Sequence, residues 1–313
     1  MICSRLNSPF LFSRSFLAIG CLLCAIGCHP QAVLVPRPEG ISPTAADFAV
    51  AQQQRLLAVP SLALRGHAEL KWIDTTGRHF DDGDFDLILR PANELSLRVS
   101  KLGEKFLWVG GGGGQSWIVL PRENPSRAIL RNWPSAPSVG GVRQGLSVVG
   151  MGGLGGLSEL MEPARLIEAL GLASTNASEI SNVSWSETRG AWAFTLPNRR
   201  LYARGESLLP VGCDWIDATS QVIATCTLDG FEWIRGDRPV GSPASSVQAL
   251  VATRLQFSVW AGGRHEQDGD ADGELFLSAE VPTFGGDKIR TQLFNWEDVK
   301  SALRPEVIEG PEP

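Results

Sequence analysis

The chain is poor in the residues that most active sites depend on. It has 4 histidines among 313 residues, which leaves little for a metal centre or an acid–base pair. No G-x-S-x-G nucleophile turn, no H-E-x-x-H and, beyond the N-terminal segment, no C-x-x-C appears. These gaps argue against an enzyme, and no cofactor or metal is expected. Basic runs are missing too, and the net charge is −6. Sequence-independent nucleic-acid binding needs clustered Lys and Arg to displace counterions, so that partner class is excluded. Tyrosine occurs once, at Tyr202, whereas there are 10 tryptophans. Interior or ligand surfaces here are therefore bulky and dry. Only Cys213 and Cys226 lie beyond residue 28.

What the chain does have is alternation. Leu64, Gly66, Ala68, Leu70 and Trp72 fall on one side of an extended segment, and Arg65, His67, Glu69 and Lys71 on the other. The same period returns at Phe85, Leu87 and Leu89, at Leu95, Leu97 and Val99, and at Trp192, Phe194 and Leu196. Turn residues separate these runs, as at Asp74–Gly77. The pattern predicts consecutive antiparallel strands with one greasy and one charged face. Such a sheet needs a cover for its greasy face. Two helices are signalled. Ala45 to Ala58 follows a Thr44 N-cap. Pro163 to Leu170 begins with a proline suited to the first turn and ends at Gly171. The expected fold is mainly β, an open antiparallel half-barrel meander over a few short helices.

The N-terminus reads as an address. Arg5 and Arg14 precede an apolar run from Phe16 to Ile26, too short to span a bilayer, which needs about 20 residues. Ala25-Ile26-Gly27-Cys28 resembles the lipobox of bacterial lipoproteins, with Ala25 in place of the usual leucine. Residues 1–27 are thus expected to be a lipoprotein signal, Cys28 the acylated residue, and the proline-containing stretch 28–43 a tether. Residues 44–313 form the body. The expected location is the cell envelope, on the periplasmic side of the outer membrane.

Helix, short link, Leu64-Arg65-Gly66, meander and Lys101-Leu102-Gly103 together resemble LolB, an outer-membrane lipoprotein receptor, within the wider LolA/LolB-like carrier fold. Met161-Glu162-Pro163, the strand pair from Asn182 to Leu196 and Phe294-Asn295-Trp296 extend the likeness. Lys101 stands where the family's loop has proline, and Arg122 to Gly150 and Asn198 to Gly273 differ from LolB in length. The resemblance implies an apolar concavity for acyl chains of lipids or lipoproteins, and an exposed, membrane-contacting Leu102. Trp72, Phe85, Leu87, Leu95, Leu97, Trp192 and Phe194 are expected to line that concavity. The competing reading is an envelope lipoprotein that interacts with proteins and fills the concavity with its own helices.

Several motifs are decoys. Five glycines, Gly110 to Gly114, lack the Lys-Ser/Thr of a phosphate loop and read as a flexible hairpin tip. Gly150-Met151-Gly152-Gly153-Leu154-Gly155 matches a dinucleotide fingerprint, but no second βαβ unit follows. Asp268 to Gly273 opens like a calcium loop, yet Ala279 occupies the position of the bidentate glutamate. His67 and His79 read as polar-side surface residues. Val211–Asp217 and Val222–Leu228 read as a hairpin that sets Cys213 opposite Cys226, a pair expected to form a disulfide.

If Cys28 is the acylation site, Cys28→Ala will move the protein from the membrane pellet to the soluble fraction or leave it unprocessed, because attachment depends on the acyl chains. Membrane partition with normal maturation in that variant would refute the lipoprotein reading.

Overall fold

The computed structural model describes residues 34–40, 42–74, 76–90, 94–133, 161–238, 250–260, 264–266, 269–285 and 289–310. Cys28 and the Gly150–Gly155 motif lie outside them. The protein is mainly β: one open sheet of fourteen strands, with three α-helices among the described residues. The strands are β1 (Leu62–Asp74), β2 (Gly77–Arg90), β3 (Glu94–Lys101), β4 (Glu104–Gly112), β5 (Gln115–Leu120) and β6 (Arg127–Asn132), then β7 (Asn182–Ser186), β8 (Ala191–Leu196), β9 (Arg199–Arg204), β10 (Leu209–Ile216), β11 (Val222–Trp233), β12 (Leu250–Val259), β13 (Gly273–Ala279) and β14 (Val307–Glu309). The helices are α1 (Ala45–Ala58), α2 (Pro163–Ala169) and α3 (Trp296–Leu303).

Two meanders make the sheet. β1 to β6 runs outward in chain order, β7 to β13 runs back, and the antiparallel β1–β13 pair joins them. β14 adds to β6 in parallel, leaving β14 and β7 as open edges. The sheet is strongly curled. α2 has 7 residues and touches β4 on one side and β10 and β11 on the other. Six strands separate β4 from β10, so a flat sheet would hold them about 34 Å apart. A helix about 10 Å long bridges them because the sheet wraps round it, as in a half-barrel.

The expected alternation organises the first strands. Leu64 faces Leu87, which faces Leu97, which faces Val109, and all point inward. One residue on, Arg65, Asp86 and Arg98 form an outer row. Asp86 binds Arg65 at 2.7 Å and Arg98 at 3.2 Å. Exposed pairs of this kind contribute about 0–1 kcal/mol each.

The outer face is not charged throughout. On β4 to β6 it carries Trp108, Trp117, Val119, Ala128 and Leu130, all buried under Trp296 and Val299 of α3. Asn295 caps α3 by accepting from Asp298 N at 3.2 Å. β8 is likewise buried on both faces, with Ala191 and Ala193 packed near Tyr202.

The five glycines are not a loop. Gly110, Gly111 and Gly112 belong to β4, and only Gly113 and Gly114, at φ 60° and 88°, form the turn. A Cβ on Gly110 would fall 2.4 Å from the Trp117 indole, on Gly111 2.5 Å from Trp133, and on Gly112 2.5 Å from the Phe294 carbonyl. Each glycine makes room for an aromatic residue. Two residues from the stretch expected to be a tether lie against β7, β8 and the turn between them. Val35 N donates to Glu187 O at 2.9 Å, Trp185 Nε1 donates to Val35 O at 2.9 Å, and the Arg37 guanidinium lies 4.8 Å above the Trp192 ring.

Gly110→Ala is expected to lower stability by about 1–3 kcal/mol, the usual cost of overpacking, read as a lower urea midpoint at unchanged slope. A flexible-tip reading requires no change.

Candidate functional site

Two features stand out on the curled sheet: an exposed leucine at one hairpin tip, and a concave face closed by the chain's own helices.

The tip is the β3–β4 turn. Its central residues, Leu102 and Gly103, have φ 54° and 83°, the paired left-handed geometry of the tightest hairpins. Glycine or asparagine suits such a position, whereas leucine costs roughly 1–2 kcal/mol there. Leu102 is 98% exposed and recovers none of that cost by burial. Charges beside it are paired. Lys101 Nζ lies 2.9 Å from Asp81 and 2.7 Å from Asp82, and hydrogen bonds to these carboxylates raise its pKa. Arg122 donates to Lys101 O at 3.1 Å and to Glu104 at 3.0 Å. Lys101 therefore fixes the turn to β2.

The seven apolar residues expected along the concavity all share the inner face by register, but they split between two clusters. Phe85, Leu87, Leu95 and Leu97 belong to the main core with Met161, Leu166 and Ile167, with half-buried Trp72 against it. Trp192 and Phe194 pack with Phe48 of α1, where Phe48 and Phe194 stack at 4.1 Å. Trp72 stacks on His79 at 5.1 Å, so His79 shares the inner face rather than the polar one.

The cover is held by polar staples that the sequence did not signal. Gln52 sits on the buried face of α1, next to a run of exposed glutamines. Its Nε2 donates to Gly171 O at 2.6 Å and to Ala173 O at 2.9 Å. Glu168 of α2 accepts from Arg199 Nη1 at 2.9 Å and from Trp215 Nε1 at 3.0 Å, which pins the helix to β9 and β10. α2 ends in the expected glycine cap. Gly171 has φ 68°, its N–H donates to Glu168 O, and Leu172 N–H donates to Ile167 O. A cavity of about 20 Å³ lies among Phe48, Gln52, Glu168, Arg199, Leu201 and Leu228. That volume admits a water but no acyl chain. Arg55 donates to Leu250 O at 3.3 Å, and burial pulls its pKa down to about 10.

A second polar knot sits on the outer face. Asp214 is buried, accepts from Tyr202 Oη at 2.6 Å and pairs with Arg189 at 2.6 Å. Thr225 Oγ1 donates to it at 3.0 Å. Burial first, then the Asp214 charge, push the Tyr202 phenol up to about 12. Every partner is satisfied, so the knot reads as a clamp on β9 to β11.

Cys213 does face Cys226, and Trp215 faces Ala224, as expected from the sequence. The thiols nevertheless are free and buried. The register supplies a reason. Trp260 N donates to Ile223 O, so the odd residues of β11 bond to β12 and the even ones, Cys226 included, bond to β10. Cys213 and Cys226 are thus a hydrogen-bonded pair, in which side chains stand farther apart than at non-bonded sites. Cys226 Sγ turns instead to Ala169 O at 3.5 Å. In the acidic loop, Asp270 pairs with Arg78 and Asp272 with Arg264. No cluster of potential metal ligands occurs among the described residues, and no helix there is long and apolar enough to cross a membrane.

No family model and no curated protein matches the chain. Solved structures that match the chain include a DUF1329 family protein from Desulfovibrio piger, at 11% identity, covering 84% of this chain and 100% of that one, with a TM-score of 0.46. A LolA superfamily protein from Nitrosomonas europaea matches at 10% identity over 82% of this chain and 99% of its own, TM-score 0.42. A domain described as an outer membrane lipoprotein-sorting protein, from Vibrio parahaemolyticus, matches at 10% over 83% and 100%, TM-score 0.44. At 10–11% identity and with TM-scores of 0.42–0.46, these likenesses carry nothing about ligand or partner.

Tyr202 is the chain's only tyrosine, so tyrosinate absorbance reports this group alone. Its folded pKa is raised above the unfolded value near 10, so its contribution to stability is complete below about pH 10 and is lost as pH rises through about 12. Titration near pH 10 in the folded protein would contradict the buried Asp214 contact. Burial also raises the pKa of both thiols. They should resist alkylation in the native protein and react in denaturant without reductant.

Proposed function

We propose that this is a lipid-anchored, non-enzymatic envelope protein that handles acyl chains and touches membrane or lipid through Leu102. The observation that carries the reading is Leu102 itself, fully exposed in a backbone conformation that disfavours leucine. A fold that tolerates this cost without any packing gain keeps its apolar finger for something outside the molecule. The curled sheet supports the acyl part, since its inner face is mostly apolar from β1 to β5 and from β8 to β13. Cys28 would supply the anchor. The envelope location rests on that cysteine and the apolar run before it.

A second reading draws on the cover. Leu87 and Leu97 are 1% and 0% exposed beneath residues of the chain itself, as in an interaction lipoprotein without a lipid ligand. The two readings differ in one requirement: acyl chains can enter only if α1 or α2 moves off the sheet. Mass spectrometry of the purified protein, read for co-extracted lipid, separates them.

In Cys28→Ala protein, which lacks the proposed anchor, Leu102→Asn should raise stability by about 1 kcal/mol, because asparagine tolerates the left-handed turn, while it weakens association with phospholipid vesicles. Leu102→Glu should abolish association with little change in thermal midpoint. Unchanged vesicle association in both variants would remove the proposed role, and a large loss of stability would place Leu102 in the core.

A further inference from the structure

Two of the buried polar atoms without a partner lie on residues around one small cavity of the inner face. Gln52 is 4% exposed, its amide nitrogen is committed to the Gly171 and Ala173 carbonyls, and its Oε1 has no hydrogen-bond partner. Arg199 Nη1 is committed to Glu168, and its equally shielded Nε has no partner. Both residues line the cavity of about 20 Å³ between α1, the segment after α2, and β9 to β11. Buried polar groups left unpaired carry the full cost of desolvation, so two of them around one small space call for a ligand.

The chemistry of that ligand is narrow. Gln52 Oε1 only accepts, and Arg199 Nε–H only donates. A carboxylate or phosphodiester cannot donate to Gln52, and any anion would face the Glu168 carboxylate on the same wall. An ammonium cannot accept from Arg199. A methyl group satisfies neither atom. A hydroxyl oxygen does both, and the space fits one such oxygen. Of the remaining wall, Phe48, Leu201, Pro210 and Leu228 are apolar, and Thr175 is its one further polar side chain.

We propose that this cavity is a hydroxyl site, in which one neutral O–H group donates to Gln52 Oε1 and accepts from Arg199 Nε. In lipid-free protein the oxygen is that of water. When an acyl ligand is bound, it is a free hydroxyl of a glycerol-type head group, with α1 and β9 in place and α2 displaced to let the chain leave along the apolar wall. The lipid half rests on the acyl-binding reading above; the water half does not.

The test is crystallographic, with detergent-extracted full-length protein, lipid-free or with monoolein, which has free hydroxyls, or methyl oleate, which has none. The expected result is an oxygen within hydrogen-bond distance of both atoms in lipid-free crystals, replaced by a glycerol hydroxyl with monoolein and retained as water with methyl oleate. Arg199→Lys keeps a cation for Glu168 but removes Nε–H, and Gln52→Met removes the acceptor. Each should lower the ratio of monoolein to methyl oleate affinity on the order of tenfold, about one hydrogen bond, because a change in the lid affects both lipids alike. Melting temperatures show whether each variant folds. A bridging water with no binding of either lipid overturns the acyl reading and leaves the hydroxyl site standing. Equal binding of both lipids with the water in place overturns the lipid half alone. An oxygen absent from the site, or bonded to only one of the two atoms, overturns the whole proposal.

Discussion

Covering the inner face of a sheet that never closes is the constraint on which this structure turns. A closed barrel fills itself with its own side chains, but an open one must borrow a lid. Here the lid is short. α2 has 7 residues, too few for a stable helix alone, and is anchored by its apolar side, its glycine cap and the Glu168 contacts with Arg199 and Trp215. Gln52 then ties α1 to the segment after α2. The two helices meet the sheet through apolar contact and meet each other through a few buried polar bonds. Those bonds give the lid one orientation, which apolar contact by itself does not specify.

The same requirement recurs on the other side. Where β4 to β6 turn tryptophans outward, α3 packs over them, and Trp296 lies 6.0 Å from Trp117. Glycine makes this possible. A strand with a side chain at position 110 could not pass beneath the Trp117 ring, so the apparently loose glycine run is one of the more tightly packed places in the molecule. Gly, which weakens a strand elsewhere, here marks close approach.

Against these two covered faces the Leu102 turn is an exception. Its neighbours Lys101 and Arg122 are engaged with Asp81, Asp82 and Glu104, so the tip presents an apolar side chain on a charge-compensated collar. Every large aliphatic residue of β3 and β4 is buried, whereas Leu102, in the turn between them, is not. A functional origin for an isolated strained position is the economical account where packing offers none.

Period and turn chemistry determined much of this protein locally. The two-residue alternation from Leu64 to Val99 set strands, faces and register, because a slip by one residue would turn every leucine outward. Thr44 and Asp47 set the start of α1 through a reciprocal cap, and Gly171 set the end of α2. The hairpin register that opposes Cys213 to Cys226 was legible for the same reason. What only tertiary structure decided lies at contacts between elements distant in the chain. The glycines of β4 read as a loop until Trp117, Trp133 and Phe294 supply the rings that need the space. Nothing local sets Gln52 apart from Gln53 and Gln54 until Gly171 and Ala173 present carbonyls to it. The cysteines read as a bond until the pairing of β11 with β12 fixes which residues of β11 face β10 with their backbones. Trp192 and Phe194 read as one surface with Leu87 and Leu97 until α1 and α2 divide it. Local pattern specifies which face a side chain takes; the chain that comes to lie against that face is chosen by curvature and packing, which no window of sequence contains.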